Sequence, residues 1–147
     1  MERKTFQRVK FTLVREAAPH PYNAKLERPI EVFFLLQELK YADREHVVVL
    51  YLSHKHTLIA VDYAHIGSEN ASMVSIPAIL RGALLTSASS IILAHNHPCG
   101  DPHPSNQDIN LTEQLIEAGK LMGIKVLDHV IIGGEEFYSL ADKGYIS

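Results

Sequence analysis

The chain has 147 residues and a formal net charge of −3, with 46% hydrophobic and 21% charged residues, which suits one domain around one buried core. Its lysines and arginines are scattered and outnumbered by acids, so it lacks the basic stripe that neutralises phosphates, and direct nucleic-acid binding is not expected. The single cysteine, Cys99, excludes an internal disulfide, no apolar run exceeds the strand-sized Val47–Leu52, and Met1–Thr5 leads into no apolar signal core, so a cytoplasmic location away from the membrane is expected.

In chain order, Phe6 to Glu16 alternates loosely between polar and apolar residues and predicts an early strand, followed by a turn-rich loop through Ala18-Pro19-His20-Pro21-Tyr22-Asn23. Pro29 opens a helix through Ile30, Phe33, Phe34 and Leu36, since proline is well placed at a first helical position. After the polar turn Ala42-Asp43-Arg44, two β-rich runs, Glu45–Ser53 and Thr57–Ile66, predict a hairpin. Ser75 and Pro77 start a helix to about Ser87, and Ser90–Ala94 is a short buried strand. A polar, proline-rich loop, His95 to Pro104, leads to a helix from Ser105 to about Met122, stopped by Gly123. Ile124–Ile132 is another strand, and Gly133-Gly134 turns tightly into Phe137-Tyr138-Ser139. Strands and helices interleave, so the expected class is α/β.

Chemistry concentrates at one place. Along a strand alternate residues share a face, so Ile91, Leu93, His95 and His97 point the same way if the strand persists. Two imidazoles so spaced chelate one ion in many zinc sites. The next helix carries an apolar stripe, Leu111, Leu115, Ala118 and Met122, and Asp108 and Ser105 begin it. A carboxylate at the buried end of such a stripe needs a partner, because an unpaired buried charge is costly. A metal held by His95 and His97 supplies one, and two His, one Asp and an open position describe a catalytic zinc site.

Taken alone, Ser105-Asn106-Gln107-Asp108 reads as a helix start, with Ser105 as cap and Asp108 at the positive end of the dipole. A His-x-His pair is also weak by itself. His54-Lys55-His56 has the same spacing in a hairpin turn, without a third ligand in view, and is read as solvent-exposed. The combination of His95, His97 and Asp108 outweighs its parts. His20, His46 and His65 are read as bland. His103 sits in the loop, as surface polarity or a substrate contact, and His129, beside Asp128, is either an ordinary strand residue or a support behind the ligands.

The run His95-Asn96-His97-Pro98-Cys99-Gly100-Asp101-Pro102-His103-Pro104-Ser105-Asn106-Gln107-Asp108 resembles the His-x-His-Pro … Pro-Ser-x-x-Asp signature of JAMM (MPN+) metalloproteins, and more narrowly the RadC-like branch. Leu127-Asp128-His129-Val130-Ile131-Ile132-Gly133 and Asp43-Arg44-Glu45-His46 are similar to that branch as well, and the likeness covers roughly residues 29 to 147. It implies an α+β, three-layer architecture of the cytidine deaminase-like kind, with a mixed central sheet flanked by helices. On this reading residues 1–28 are an N-terminal strand-and-loop extension to a metallohydrolase domain at 29–147, which stands alone without the N-terminal helical region usual in RadC proteins.

The resemblance also implies a role for each site residue. Glu45, on an early strand, matches the glutamate that acts as general base, Ser105 would stabilise the oxyanion, and Zn2+ would activate water against an amide bond in a peptide or isopeptide-linked protein. The alternative is a non-catalytic, metal-containing module in DNA-repair or recombination complexes, which rests on the family name. Two departures stand out. Cys99 replaces a common serine, and Ser75-Ile76-Pro77-Ala78-Ile79 lacks the Arg-Glu that usually follows the proline. A nucleobase deaminase is set aside, because it needs His-x-Glu and Pro-Cys-x-x-Cys.

Overall fold

The computed structural model describes residues 7–12, 14, 16, 23–67 and 74–147. The strand expected over Phe6–Glu16 lies partly outside these residues, and His20 wholly so. Where the segment is described, residues 7–12 carry no regular structure, and Val9, Phe11 and Val14 are exposed. Alternation alone does not make a strand without a neighbour to complete its ladder.

From Ala24 onward the chain is tied into the body. Lys25 bridges Thr57, Leu58 N–H donates to the Ala24 carbonyl at 2.7 Å, and Leu26 is buried. Helix α1 (Pro29–Leu35) runs into a short 3-10 turn at Gln37–Leu39, and strands β1 (Glu45–Leu52) and β2 (Leu58–Gly67) form the hairpin. Helix α2 (Ile76–Thr86) follows, capped by the Ser75 side chain. Then come β3 (Ser90–Asn96), α3 (Asn106–Met122), β4 (Lys125–Gly133) and β5 (Glu136–Ser139).

The strands form one mixed sheet in the order β2-β1-β3-β4-β5. Strand β1 is antiparallel to β2 and β3, β3 is parallel to β4, and β5 returns antiparallel along β4. Helix α3 is therefore the crossover that a parallel β3–β4 pair requires. Because side chains alternate, β1 feeds two cores. Val47, Val49 and Tyr51 pack with Ile91, Leu93, Ile79, Leu111 and Leu115 under α2 and α3. Val48, Leu50 and Leu52 pack with Ile92, Val130, Val32, Phe33 and Leu36 under α1. The result is the three-layer α/β arrangement expected, with helices on both faces of a mixed sheet. Among the described residues no helix is long and apolar enough to cross a membrane.

Two details shape the site end. Strand β3 continues to Asn96 instead of stopping at Ala94, and the His97 N–H still reaches the Ile132 carbonyl of β4 at 2.8 Å. The face of α3 turned to the sheet is Asp108, Leu111, Thr112, Leu115 and Gly119, not the stripe ending at Met122, which is 45% exposed. At 3.6 residues per turn, the row through Asp108 returns at Thr112, Leu115 and Gly119. Met122 keeps nearly the same angular position but is the last residue of α3, beside the Gly123 cap, so the helix end and not its phase leaves it exposed.

Candidate metal centre

Four side chains converge where β1, β3 and the start of α3 meet. His95 lies near the end of β3, Glu45 begins β1, His97 follows β3, and Asp108 lies in the first turn of α3. The His95 and His97 Nε2 atoms are 2.9 Å apart. Asp108 Oδ1 stands 3.4 Å from His95 Nε2, and Asp108 Oδ2 stands 3.3 Å from His97 Nε2. Glu45 Oε1 is 3.8 Å from His95 Nε2. Glu45, His95 and His97 each offer a ligand atom within 4.8 Å of the others. Three of the four residues are buried and His97 is half-buried, opening on a cleft of about 810 Å³ lined by Asp43, Arg44, Glu45, Gly67, His97, Pro98 and Cys99.

Their backbones are pinned. Ser105 caps α3, its hydroxyl accepting the Asp108 N–H at 3.1 Å while Asp108 Oδ2 accepts the Ser105 N–H at 2.9 Å. Asp108 is thus both a helix cap and a member of the cluster, so the two readings of that segment are one arrangement. Asn96 Oδ1 accepts the His46 N–H at 2.7 Å, and its Nδ2 donates to the Arg44 carbonyl at 2.9 Å. One side chain therefore holds both peptide groups that flank Glu45.

The loop after His97 is braced from below. His97 Nδ1 donates to the Asp101 carbonyl at 2.7 Å, since a carbonyl only accepts. A Cβ on Gly133 would stand 2.7 Å from the Gly100 carbonyl oxygen and 2.6 Å from the Pro102 nitrogen. Gly133 is therefore a bed for the loop, and within the tight turn expected at the Gly pair it is Gly134 that is left-handed, at φ +57°.

Charge follows from this packing. Burial alone would raise the Asp108 pKa, but the His95 and His97 rings beside its carboxylate, and the Ser105 N–H, hold it well below the ordinary aspartate value. For His97 burial works downward, yet the Asp108 carboxylate and the Asp101 carbonyl outweigh it and raise the pKa. Behind His95 sits His129, fully buried on β4, with Nε2 2.7 Å from His95 Nδ1. Burial keeps the His129 pKa well below the usual imidazole value. Thr112 lies beyond it, 2.6 Å from His129 Nδ1. Nothing in the sequence singled out Thr112, although its i+4 spacing from Asp108 was available.

The donor set fits a small divalent cation. The nitrogens and carboxylate oxygens point at one another without a side-chain donor to satisfy them all, and electron-rich atoms so placed need a cation or shared protons between them. Bonds of about 2.0–2.1 Å at tetrahedral angles put ligand atoms roughly 3.3 Å apart, and the His–Asp separations here are 3.3 and 3.4 Å.

Other candidates stand apart. His103 Nδ1 meets Asp101 Oδ1 at 2.7 Å on the surface. Cys99 is exposed at the cleft rim. His54 is exposed, and neither it nor His56 joins a ligand cluster among the described residues.

A family model described as the RadC-like JAB domain matches residues 26–145. The chain belongs to the RadC-like JAB domain family. Among curated proteins it is similar to a UPF0758 protein of Caldanaerobacter subterraneus, 47% identical over 124 residues, which are 84% of this chain and 53% of that protein. Another UPF0758 protein, from Methanococcoides burtonii, is 46% identical over 127 residues, 84% of this chain and 54% of its own length. A third, from Desulforudis audaxviator, is 44% identical over 140 residues, 93% of this chain and 61% of its own length. This JAB domain chain spans a little over half the length of the curated relatives it matches.

Proposed function

We propose that the domain is a zinc-dependent hydrolase that cleaves an amide bond in a peptide or an isopeptide-linked protein. The observation that supports this reading is the convergence of two imidazole Nε2 atoms and two carboxylates at the floor of an open cleft. In this reading His95, His97 and Asp108 hold the ion, and Glu45 stands beside it on the cleft side. Zinc, when bound, supplies Lewis acidity that acidifies water and polarises a carbonyl.

The residues do the rest. The Glu45 carboxylate accepts a proton from water in the cleft and returns it to the departing amine nitrogen. Its backbone cannot drift, because Asn96 grips both neighbouring peptide groups. The Ser105 hydroxyl accepts the capping bond from Asp108, which leaves its hydrogen available to donate to a developing oxyanion. Arg44 and Asp43 at the rim would meet the substrate backbone or its charged groups.

Replacing the proposed base separates binding from chemistry. Glu45→Gln is expected to keep zinc, measured by metal analysis of purified protein, and to lose hydrolysis by about 100-fold or more on a confirmed peptide or isopeptide substrate. Activity equal to wild type would remove Glu45 from the mechanism. His97→Ala and Asp108→Ala are expected to lose the metal itself. Equal metal content in wild type and both variants would overturn the metal centre.

A further inference from the structure

The hydrogen bonds behind His95 have only one consistent set of donors. The Asp108 backbone carbonyl only accepts, and Thr112 Oγ1 lies 2.7 Å from it, so the threonine's one hydroxyl hydrogen is committed there. Thr112 Oγ1 is also 2.6 Å from His129 Nδ1. With its hydrogen spent, the hydroxyl accepts, and His129 Nδ1 must carry a hydrogen. His129 is 0% exposed, and its ring's hydrogen-bond partners are His95 and Thr112, neither of them a carboxylate. A charged ring there would be an uncompensated buried cation, so the ring is neutral and its Nε2 is a lone pair. That lone pair faces His95 Nδ1 at 2.7 Å, so His95 donates from Nδ1.

The chain of donors thus runs from His95 to His129, to Thr112, to the carbonyl of Asp108. It starts on one proposed ligand and ends on the backbone of another. We propose that His129 and Thr112 are positioning residues that fix the hydrogen of His95 on Nδ1, so that His95 Nε2 is presented to a divalent cation as a bare lone pair. This rests on the metal-centre reading above. Neither residue touches the ion in this arrangement. Their effect passes through the tautomer and ring orientation of His95, and partners of this kind change metal affinity by about 10- to 100-fold when removed. Were the Thr112 acceptor lost, His129 would be free to move its hydrogen to Nε2. His95 would then face a donor at Nδ1 and carry its own hydrogen on Nε2, the atom the cation needs.

The test uses the full chain with zinc as the probe. Thr112→Val keeps the shape and removes the hydroxyl, and Thr112→Ser restores it. Zinc affinity, by competition with a chromophoric chelator, is expected to fall about 10-fold or more in Thr112→Val and to stay within about 3-fold of wild type in Thr112→Ser. Long-range proton–nitrogen spectra of the metal-free wild type are expected to show the hydrogens of both His95 and His129 on Nδ1. Wild-type zinc affinity in Thr112→Val, or a wild-type His95 hydrogen on Nε2, overturns the inference and leaves the metal centre standing. Zinc binding by none of the three proteins instead overturns the metal-centre reading on which it rests.

Discussion

At the residue scale, Asn96 shows how a side chain outside the proposed ligand set holds the site's backbone. It sits between His95 and His97 but points to the opposite face of β3, where it bonds the peptide groups on either side of Glu45. Truncation to alanine orphans one N–H and one carbonyl. Asn96→Ala is expected to cost about 2 kcal/mol in denaturant unfolding and to lower hydrolysis while metal content holds. Unchanged stability would show that water replaces the amide without loss. Asp128 is a second case. Its Oδ1 accepts the N–H groups of His129 and Ala141, and its Oδ2 accepts the Ser139 hydroxyl. Burial nonetheless outweighs these bonds and raises its pKa. A proton is then held more tightly in the folded state than in the unfolded one. This contribution to stability is complete below the ordinary aspartate value, about 3.9, and is lost as pH rises through the raised folded value. Asp128→Asn keeps an acceptor for the two N–H groups, and should remove that part of the pH dependence of the melting temperature. An identical slope in the variant would reject the assignment.

At the element scale, the site depends on backbone approach as much as on ligands. Strand β4 ends at Gly133, and the loop carrying His97, Gly100 and Asp101 lies directly on it. The nearest atoms are backbone, which cannot swing aside as a side chain would. Gly133→Ala should therefore shift the loop, weaken the His97–Asp101 brace and reduce zinc affinity, measured by chelator competition. Affinity equal to wild type would mean the loop yields without disturbing His97. Helix α3 carries a related constraint. Its first turn is fixed by the Ser105–Asp108 capping box, so the same bonds that start the helix also aim the Asp108 carboxylate at the two imidazoles.

At the scale of the whole molecule, the cluster joins β1, β3, α3 and β4, elements that meet only in the folded chain. A cation held there binds the native state in preference to the unfolded one. At about 100-fold excess over the dissociation constant it adds about 2.7 kcal/mol, which for a domain of this size is roughly 5–10 °C in melting temperature. Adding a strong chelator to zinc-loaded protein should remove that increment from wild type and leave His97→Ala unaffected. A melting temperature that ignores both zinc and chelator would count against a metal centre spanning these elements.

Much of this was legible in the sequence because the signals are local. Period-two and period-3.6 patterns placed β1, β2, α2, β3, α3 and β4 to within a few residues, since each element buries one repeating face. Pro29, Ser75, Ser105 and Gly123 marked helix ends through caps that act within one turn. His95, His97 and Asp108 were visible as a spacing, and the family resemblance supplied Glu45. The N-terminal segment was misleading, because alternation reports a strand only where another strand pairs with it. Tertiary structure decided what depends on long-range contact. It brought Glu45 to His95 across β1 and β3, put Asn96 on the Glu45 peptides, and turned Thr112 and His129 toward the back of His95. The local chain can specify which residues face inward. Which buried polar groups meet, and therefore where hydrogens and charge reside, is fixed only when the sheet and α3 close over them.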